Sequence, residues 1–224
     1  MTTAPLKIYW NYRSQPSRAL IAFCKINKIP FTLEEVNVFK GQQFKPEFKK
    51  INALRLVPVI EENGFLLSES HTIFRYLCES RGLPDHWYPK DLKQRALVDR
   101  YLDWHSSGTR SGTRYYQAYF KHIFHPGFIT WDTKDEVETV KRAYKRIEEV
   151  FLGDKKFFFS DEDMTIADLS AVCEIVQLKP TDFDFKAFPK LDAWINRCLE
   201  KYPEVKEAHK EFFEFHNQLQ KPKL

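Results

Sequence analysis

No stretch of the 224 residues stays apolar for long enough to span a bilayer, so a helical membrane anchor is not expected. Met1 to Pro5 lack the charged and apolar regions of a secretory leader. Cysteine is scarce: Cys24, Cys78, Cys173 and Cys198 are the only four. None forms a C-x-x-C pair and none has a histidine at metal-ligand spacing, so neither a dithiol redox site nor a metal site is expected. Each sits among apolar residues at helical spacing, which reads as buried free thiols in a reducing compartment, the cytoplasm. The charge excess is small, +4 from 35 basic and 31 acidic residues. The lysines are scattered, with no basic tract interleaved with aromatics, so no nucleic-acid partner is expected. There is no internal repeat and no low-complexity tract. Pro222-Lys223-Leu224 ends like a peroxisomal address but has the wrong first residue.

What is there is apolar and aromatic: 43% of residues are hydrophobic and 16% aromatic, enough for a full core in one or two domains. The chain is organised around Ser14-Gln15-Pro16-Ser17-Arg18. This segment follows a short apolar run, Leu6 to Trp10, and precedes an apolar-periodic one, Ala19 to Ile26. The order reads as strand, turn, helix. Serine is a preferred N-cap and proline suits the first helical turn, so a plain cap is the common reading. The other reading is chemical. A helix start offers unpaired N–H groups and partial positive charge, so an anion there is stabilised, and a hydroxyl can donate to it.

The next segments build a small mixed sheet. Pro16 to Asn27 reads as a helix and Phe31 to Val38 as a strand. Gly41 to Asn52, with Phe44 and Phe48 four apart, reads as a short helix in a connecting loop. Val57 to Ile60 and Phe65 to Leu67 flank Asn63-Gly64, a strong hairpin signal, and should pair antiparallel. Ser68-Glu69-Ser70 opens another helix, which Gly82 ends. The order β-α-β-α-β-β-α is a thioredoxin-like α/β arrangement. Pro58 inside a strand has two readings. It is either an edge-strand proline or a cis peptide that turns the Val57 backbone outward to pair with a peptide-like ligand.

Every strong segment after the proline-containing stretch Leu83 to Lys90 is helical. The expected organisation is a thioredoxin-like domain over 1–82, a linker over 83–90 and an all-α helical domain over 91–224. Thr165-Ile166-Ala167-Asp168 matches a capping box in front of an apolar run, a structural device.

Taken together, the motifs resemble the cytosolic glutathione S-transferases, and most of all their theta class. Ser14-Gln15-Pro16-Ser17-Arg18 resembles the theta S-Q-P-x-R segment. Lys40-Gly41-Gln42-Gln43 resembles its K-G-Q-H loop. Asn52-Ala53-Leu54-Arg55-Leu56-Val57-Pro58 resembles its N-P-x-x-x-V-P run, and Ser68-Glu69-Ser70 its T-E-S turn. Trp87-Tyr88-Pro89 with Asp91-Leu92, and Asp99 to Trp104, match the linker and first C-terminal helix. The likeness reaches to about residue 200.

The resemblance implies a transferase that uses glutathione as co-substrate, with no cofactor and no metal. Ser14 would be the catalytic hydroxyl, stabilising the thiolate that attacks a small, apolar electrophile, a detoxification chemistry. Ser70 would take the γ-glutamyl carboxylate and Glu69 the ammonium. Val57, before Pro58, would pair with the cysteinyl backbone. Gln43 and Leu56 would face the glycine end, where the family has histidine and lysine, and so hold its carboxylate more weakly. The second-substrate pocket would lie between the domains. Arg110 would stand where the theta class binds an anionic leaving group, with Tyr12 and Tyr115 as walls. The chain ends at Leu224, before the longer tail of several theta enzymes, which implies a short or missing cover. A homodimer is also implied. The alternative is a non-catalytic glutathione- or ligand-binding protein on the same fold.

Overall fold

The computed structural model describes residues 5–124 and 134–219; Pro222-Lys223-Leu224 lies outside them. The chain forms two compact units, one from residues up to Pro84 together with those from Tyr202 onward, the other from Asp85 to Lys201. This differs from the expected division, in which 91–224 made one helical domain. The last helices belong with the first unit.

The first unit contains Leu6–Trp10 (β1), Gln15–Ile26 (α1), Phe31–Glu35 (β2), Pro46–Ile51 (α2), Val59–Glu62 (β3), Phe65–Ser68 (β4) and Ser70–Ser80 (α3). The sheet order is β2-β1-β3-β4. β1 and β2 are parallel, and β3 is antiparallel to both β1 and β4. This is the thioredoxin-like α/β arrangement that the element order implied. The β3–β4 turn holds Asn63 at φ 50° and Gly64 at φ 82°, the double positive φ that a tight hairpin with right-handed twist requires. β2 stops at Glu35, short of the expected Val38, because β1 stops at Trp10. Val36 N–H still reaches the Trp10 carbonyl at 2.8 Å, but Asn37 N–H turns to the Gln42 side chain at 2.8 Å. β3 starts only at Val59, since Pro58 has no N–H for a ladder.

Side chains alternate across the sheet. Register partners Tyr9 and Val59 face one side, where they pack with Val36 and with Phe48 of α2. Ile8 and Ile60, also partners, face the other and are fully buried. α1 and α3 meet through Phe23 and Phe74, ring centres 5.2 Å apart.

After Tyr202 come Pro203–Ala208 (α9) and Lys210–Leu219 (α10), numbered after five helices of the second unit. Lys25 on α1 pairs with Glu207 at 2.7 Å. The fully buried Arg18 guanidinium lies 4.1 Å from the Phe212 ring centre. These contacts explain why this polar-looking segment packs with the sheet unit.

The second unit is helical: Leu92–His105 (α4), Ser111–Phe124 (α5), Lys134–Arg146 (α6, running into a π-helical turn at Ile147–Leu152), Ile166–Ile175 (α7) and Pro189–Lys201 (α8). All ten residues of α7 are buried. Its start is the expected capping box: Thr165 Oγ1 accepts from the N–H of Ala167 and Asp168, and Asp168 accepts from Thr165 N–H at 2.9 Å. Asp168 also takes the Phe158 N–H at 2.7 Å and the Trp194 indole N–H at 2.9 Å. A sequence reading of the box could see the cap but not these two partners from distant segments.

Candidate functional site

Four loops leave the sheet at one end. β1 and β2 run parallel, so the segments after Trp10 and Glu35 exit together. β3 is antiparallel to β1, so the residues before Val59 lie at that end too. Val59 pairs with Ser68, which sets Val57-Pro58 beside Glu69-Ser70. Topology alone therefore gathers Ser14, Val57, Pro58, Glu69, Ser70 and the Gln43 loop.

Ser14 is held by a short turn: its N–H bonds to the Asn11 carbonyl at 2.9 Å. Asn11 is 1% exposed and donates to the Val36 carbonyl at 3.1 Å, which pins the turn to the strand beside it. Ser14 is the N-cap of α1, and its Oγ accepts the Ser17 N–H at 3.4 Å. The same Oγ donates to the Val57 carbonyl at 3.2 Å. The cap is thus present, and the hydroxyl proton is given to a backbone carbonyl. The first turn of α1 contains no acidic side chain, so its positive end is not neutralised locally.

The Val57–Pro58 peptide is cis. Val57 is presented by a turn that Asn52 organises: its side chain accepts from Leu54 N–H at 3.0 Å and donates to the Leu56 carbonyl at 2.9 Å. Leu56 itself is 61% exposed. Glu69 has φ 70° and ψ 103°, a backbone state that a residue with a Cβ resists. Among the described residues no side chain caps α3, and its first turn carries no acid. Gln43 donates to the Val38 carbonyl at 3.4 Å, and its buried Oε1 has no partner among the described residues.

Tyr12 and Arg13 precede Ser14 and meet the last helix. The Tyr12 and Phe215 ring centres are 5.9 Å apart, and the Arg13 guanidinium lies 3.8 Å from the ring centre of Phe39 and 5.5 Å from that of Phe215. Arg18 Nη1 donates to the Tyr12 carbonyl at 2.6 Å. α10 seats Phe215 on Tyr12, the residue two before Ser14. Arg13, Arg18, Phe39, Asn52 and Phe215 were not among the expected site residues. The one available signal was an arginine, Arg18, on the apolar stripe of the first helix.

The residues expected to wall a second-substrate pocket belong to different units. Tyr12 lies in the first. Arg110 and Tyr115 lie in the second. Tyr115 is 2% exposed and gives its hydroxyl to Asp182, so it is a core residue of its helical unit and not a free wall. Burial and that carboxylate push its phenol pKa up. Arg110 is partly exposed and makes no side-chain hydrogen bond or ion pair among the described residues.

All four cysteines are free and buried. Burial pushes the Cys24 thiol up to about 12 and Cys198 well above its ordinary value, so neither supplies a thiolate at neutral pH. Among the described residues, no group of three or more histidine, cysteine or acidic side chains could hold a metal, and no helix is long and apolar enough to cross a membrane.

Comparison with known proteins places this geometry. Family models of the glutathione S-transferase N-terminal and C-terminal domains match residues 14–80 and 131–202. Glutathione S-transferase T1 of Arabidopsis thaliana is 36% identical over 228 residues, covering 96% of this chain and 92% of that protein. The chain belongs to the glutathione S-transferase family. Its likeness is to the theta class. A crystal structure of human glutathione transferase theta-2 with glutathione and an unknown ligand superposes with a TM-score of 0.88 at 33% identity, covering 98% of this chain and 92% of that one. A human theta-class transferase in complex with the glutathione conjugate of 1-menaphthyl sulfate superposes at 0.87 with 32% identity, covering 96% and 90%. The two transferase domains, thioredoxin-like α/β followed by all-α, are the fold read from the element order. Glutathione transfer is the function that these relatives support.

Proposed function

We propose that Ser14 is the residue that ionises glutathione. The observation that carries this is the pair of hydrogen bonds at its Oγ: one received from Ser17 N–H, one given to the Val57 carbonyl. The received bond and the open end of α1 polarise the hydroxyl and make it a better donor. The given bond is the one that a peptide substrate would replace. A cysteinyl backbone N–H pairing with the Val57 carbonyl releases the Ser14 proton to point at the cysteinyl sulfur. Binding and thiol activation are then one exchange. The thiol proton leaves to solvent, and Ser14 keeps its own.

Around that centre, the free start of α3 with Ser70 takes the γ-glutamyl carboxylate, and Glu69 takes the ammonium. Gln43 and Leu56 face the glycine end. Gln43 is neutral and tied to Val38, and Leu56 is apolar, so neither offers a charge to the glycine carboxylate; Lys40 and Arg55 are the nearby cations that could. The thiolate forms a bond to an electrophilic carbon as the carbon–leaving group bond breaks, and the leaving group departs with the electron pair. The substrate class we favour is an activated sulfate ester, whose sulfate is a good anionic leaving group. The chemistry needs no cofactor or metal. We assign the protein to the cytoplasm as a homodimer.

Initial-rate assays with glutathione and 1-menaphthyl sulfate test the assignment. Ser14→Ala should lower kcat/KM by about a hundredfold or more, mostly in kcat, the size of effect seen when one donor to a developing anion is removed. Retention of full activity would remove Ser14 from the mechanism. Light scattering tests the dimer; a monomer at micromolar concentration contradicts it.

A further inference from the structure

A cavity of about 300 Å³ lies in the first unit between α2 and the β1–β2 side of the sheet. None of its lining residues belongs to the thiol site. Its walls are the rings of Tyr9 and Phe48 with Val36 and Ile51. Tyr9 and Phe48 meet edge to face, centres 6.3 Å apart, so the walls are part of the packed core and do not depend on a flexible loop. Glu34, Glu47 and Lys45 contribute charge. Glu34 is the register partner of Tyr9, so its side chain stands on the Tyr9 face. Glu34 and Glu47 are exposed and make no ion pair or side-chain hydrogen bond among the described residues. A third lining carboxylate, Glu35, is engaged by Asn11 at 3.4 Å.

We propose that this cavity is a second small-molecule site and that it binds an amphipathic organic monocation, an aryl or short alkyl group bearing one ammonium. The apolar walls contact one face of such a ligand and contribute to the affinity by the apolar area they remove from water. The charges supply selectivity. Three lining carboxylates face one lysine, so an anion is repelled, and a neutral ligand leaves Glu34 and Glu47 with water alone. An ammonium at the mouth pairs with them, and the ligand's own body shields that pair from solvent. The volume is at the lower end of small-molecule sites, about 300 Å³, which suits a ligand of one or two rings. Ile51 and Val57 pack on the same Tyr9–Val36–Phe48–Val59 cluster, so the site shares its wall with the residue that faces Ser14.

The test is calorimetric titration of the full chain, at saturating glutathione, with 1-naphthylmethylammonium and with neutral 1-naphthylmethanol. Saturating glutathione keeps the thiol site occupied. The ammonium should bind about tenfold tighter than the alcohol. The Glu34→Gln/Glu47→Gln double variant changes only exposed side chains and should bring the two ligands to parity. Ile51→Trp, which fills the cavity, should abolish both. Equal binding of the two ligands by the unaltered protein, no saturable ammonium binding at millimolar concentration, or an undiminished preference in the double variant would each overturn the proposal.

Discussion

The guanidinium of Arg18 lies 4.1 Å from the ring centre of Phe212, and neither side chain is exposed. Arg18 also holds the Tyr12 carbonyl at 2.6 Å. One buried cation therefore ties together α1, the turn that carries Ser14, and α10. A cation over an aromatic face is worth most when both are desolvated.

Phe212→Ala should cost about 3–5 kcal/mol, as expected for deleting a buried ring. Because the ring also orders the turn before Ser14, transferase activity should fall more than the folded fraction does. Urea unfolding and kcat/KM measured under native conditions check both. A loss confined to stability would place α10 outside the site's support.

His216, on the same helix, is 1% exposed and its Nδ1 lies 2.7 Å from the Phe212 carbonyl. Burial, and then Arg13 and Arg18, hold its pKa below the ordinary 6.5, with the bond to Phe212 opposing them. The unfolded chain therefore binds a proton that the folded chain refuses. The stability this group contributes is present above pH 6.5 and is lost as pH falls from there through its folded value. His216→Gln should flatten that part of the profile. Midpoints of urea unfolding at several pH values, compared between the two proteins, give the answer.

Glu69 combines a strained φ of 70° with a proposed substrate contact. Glu69→Gly removes both. Stability should be unchanged or rise, by up to about 1 kcal/mol after the flexibility of glycine is counted. Glutathione affinity should fall by about tenfold. Stability and affinity moving in opposite directions would identify the strain as serving the site; a parallel loss of both would identify Glu69 as a structural residue only.

At the start of α7, Thr165→Ala should destabilise the protein by about 1–2 kcal/mol and leave kcat/KM unchanged at temperatures where it is folded. Asp168→Ala should cost more, since that carboxylate serves Phe158, Thr165 and Trp194 together. Thermal unfolding of the two variants ranks them.

The sheet unit was legible in the sequence because its signals are local. Asn63-Gly64 names its own turn, Ser14-Gln15-Pro16 its own helix start, and Pro58 marks where a strand cannot continue. The candidate site was legible in part for the same reason, since short motifs carry Ser14, Val57 and Glu69, which the sheet topology gathers at one end. What could not be read was long-range. Glu204 to Leu219 looks polar because its few apolar residues are spread along it, Phe212 meeting Arg18 of α1 and Phe215 meeting Tyr12. Nothing local says that Phe212 meets Arg18. Tyr115 shows the converse: an aromatic at helical spacing reads equally well as a pocket wall or as core, and only the Asp182 partner decides.

A pH titration of the absorbance of enzyme-bound glutathione thiolate, for the unaltered protein and for Ser14→Ala, decides whether Ser14 ionises glutathione. The bound thiol should ionise well below its solution pKa, and Ser14→Ala should abolish most of that lowering. A tenfold gain in the thiolate-to-thiol ratio at fixed pH corresponds to about 1.4 kcal/mol of preference for the anion. Glutathione that binds with its thiol pKa unchanged, or a lowered pKa that survives in Ser14→Ala, would contradict that role and leave Ser14 as the cap of a helix.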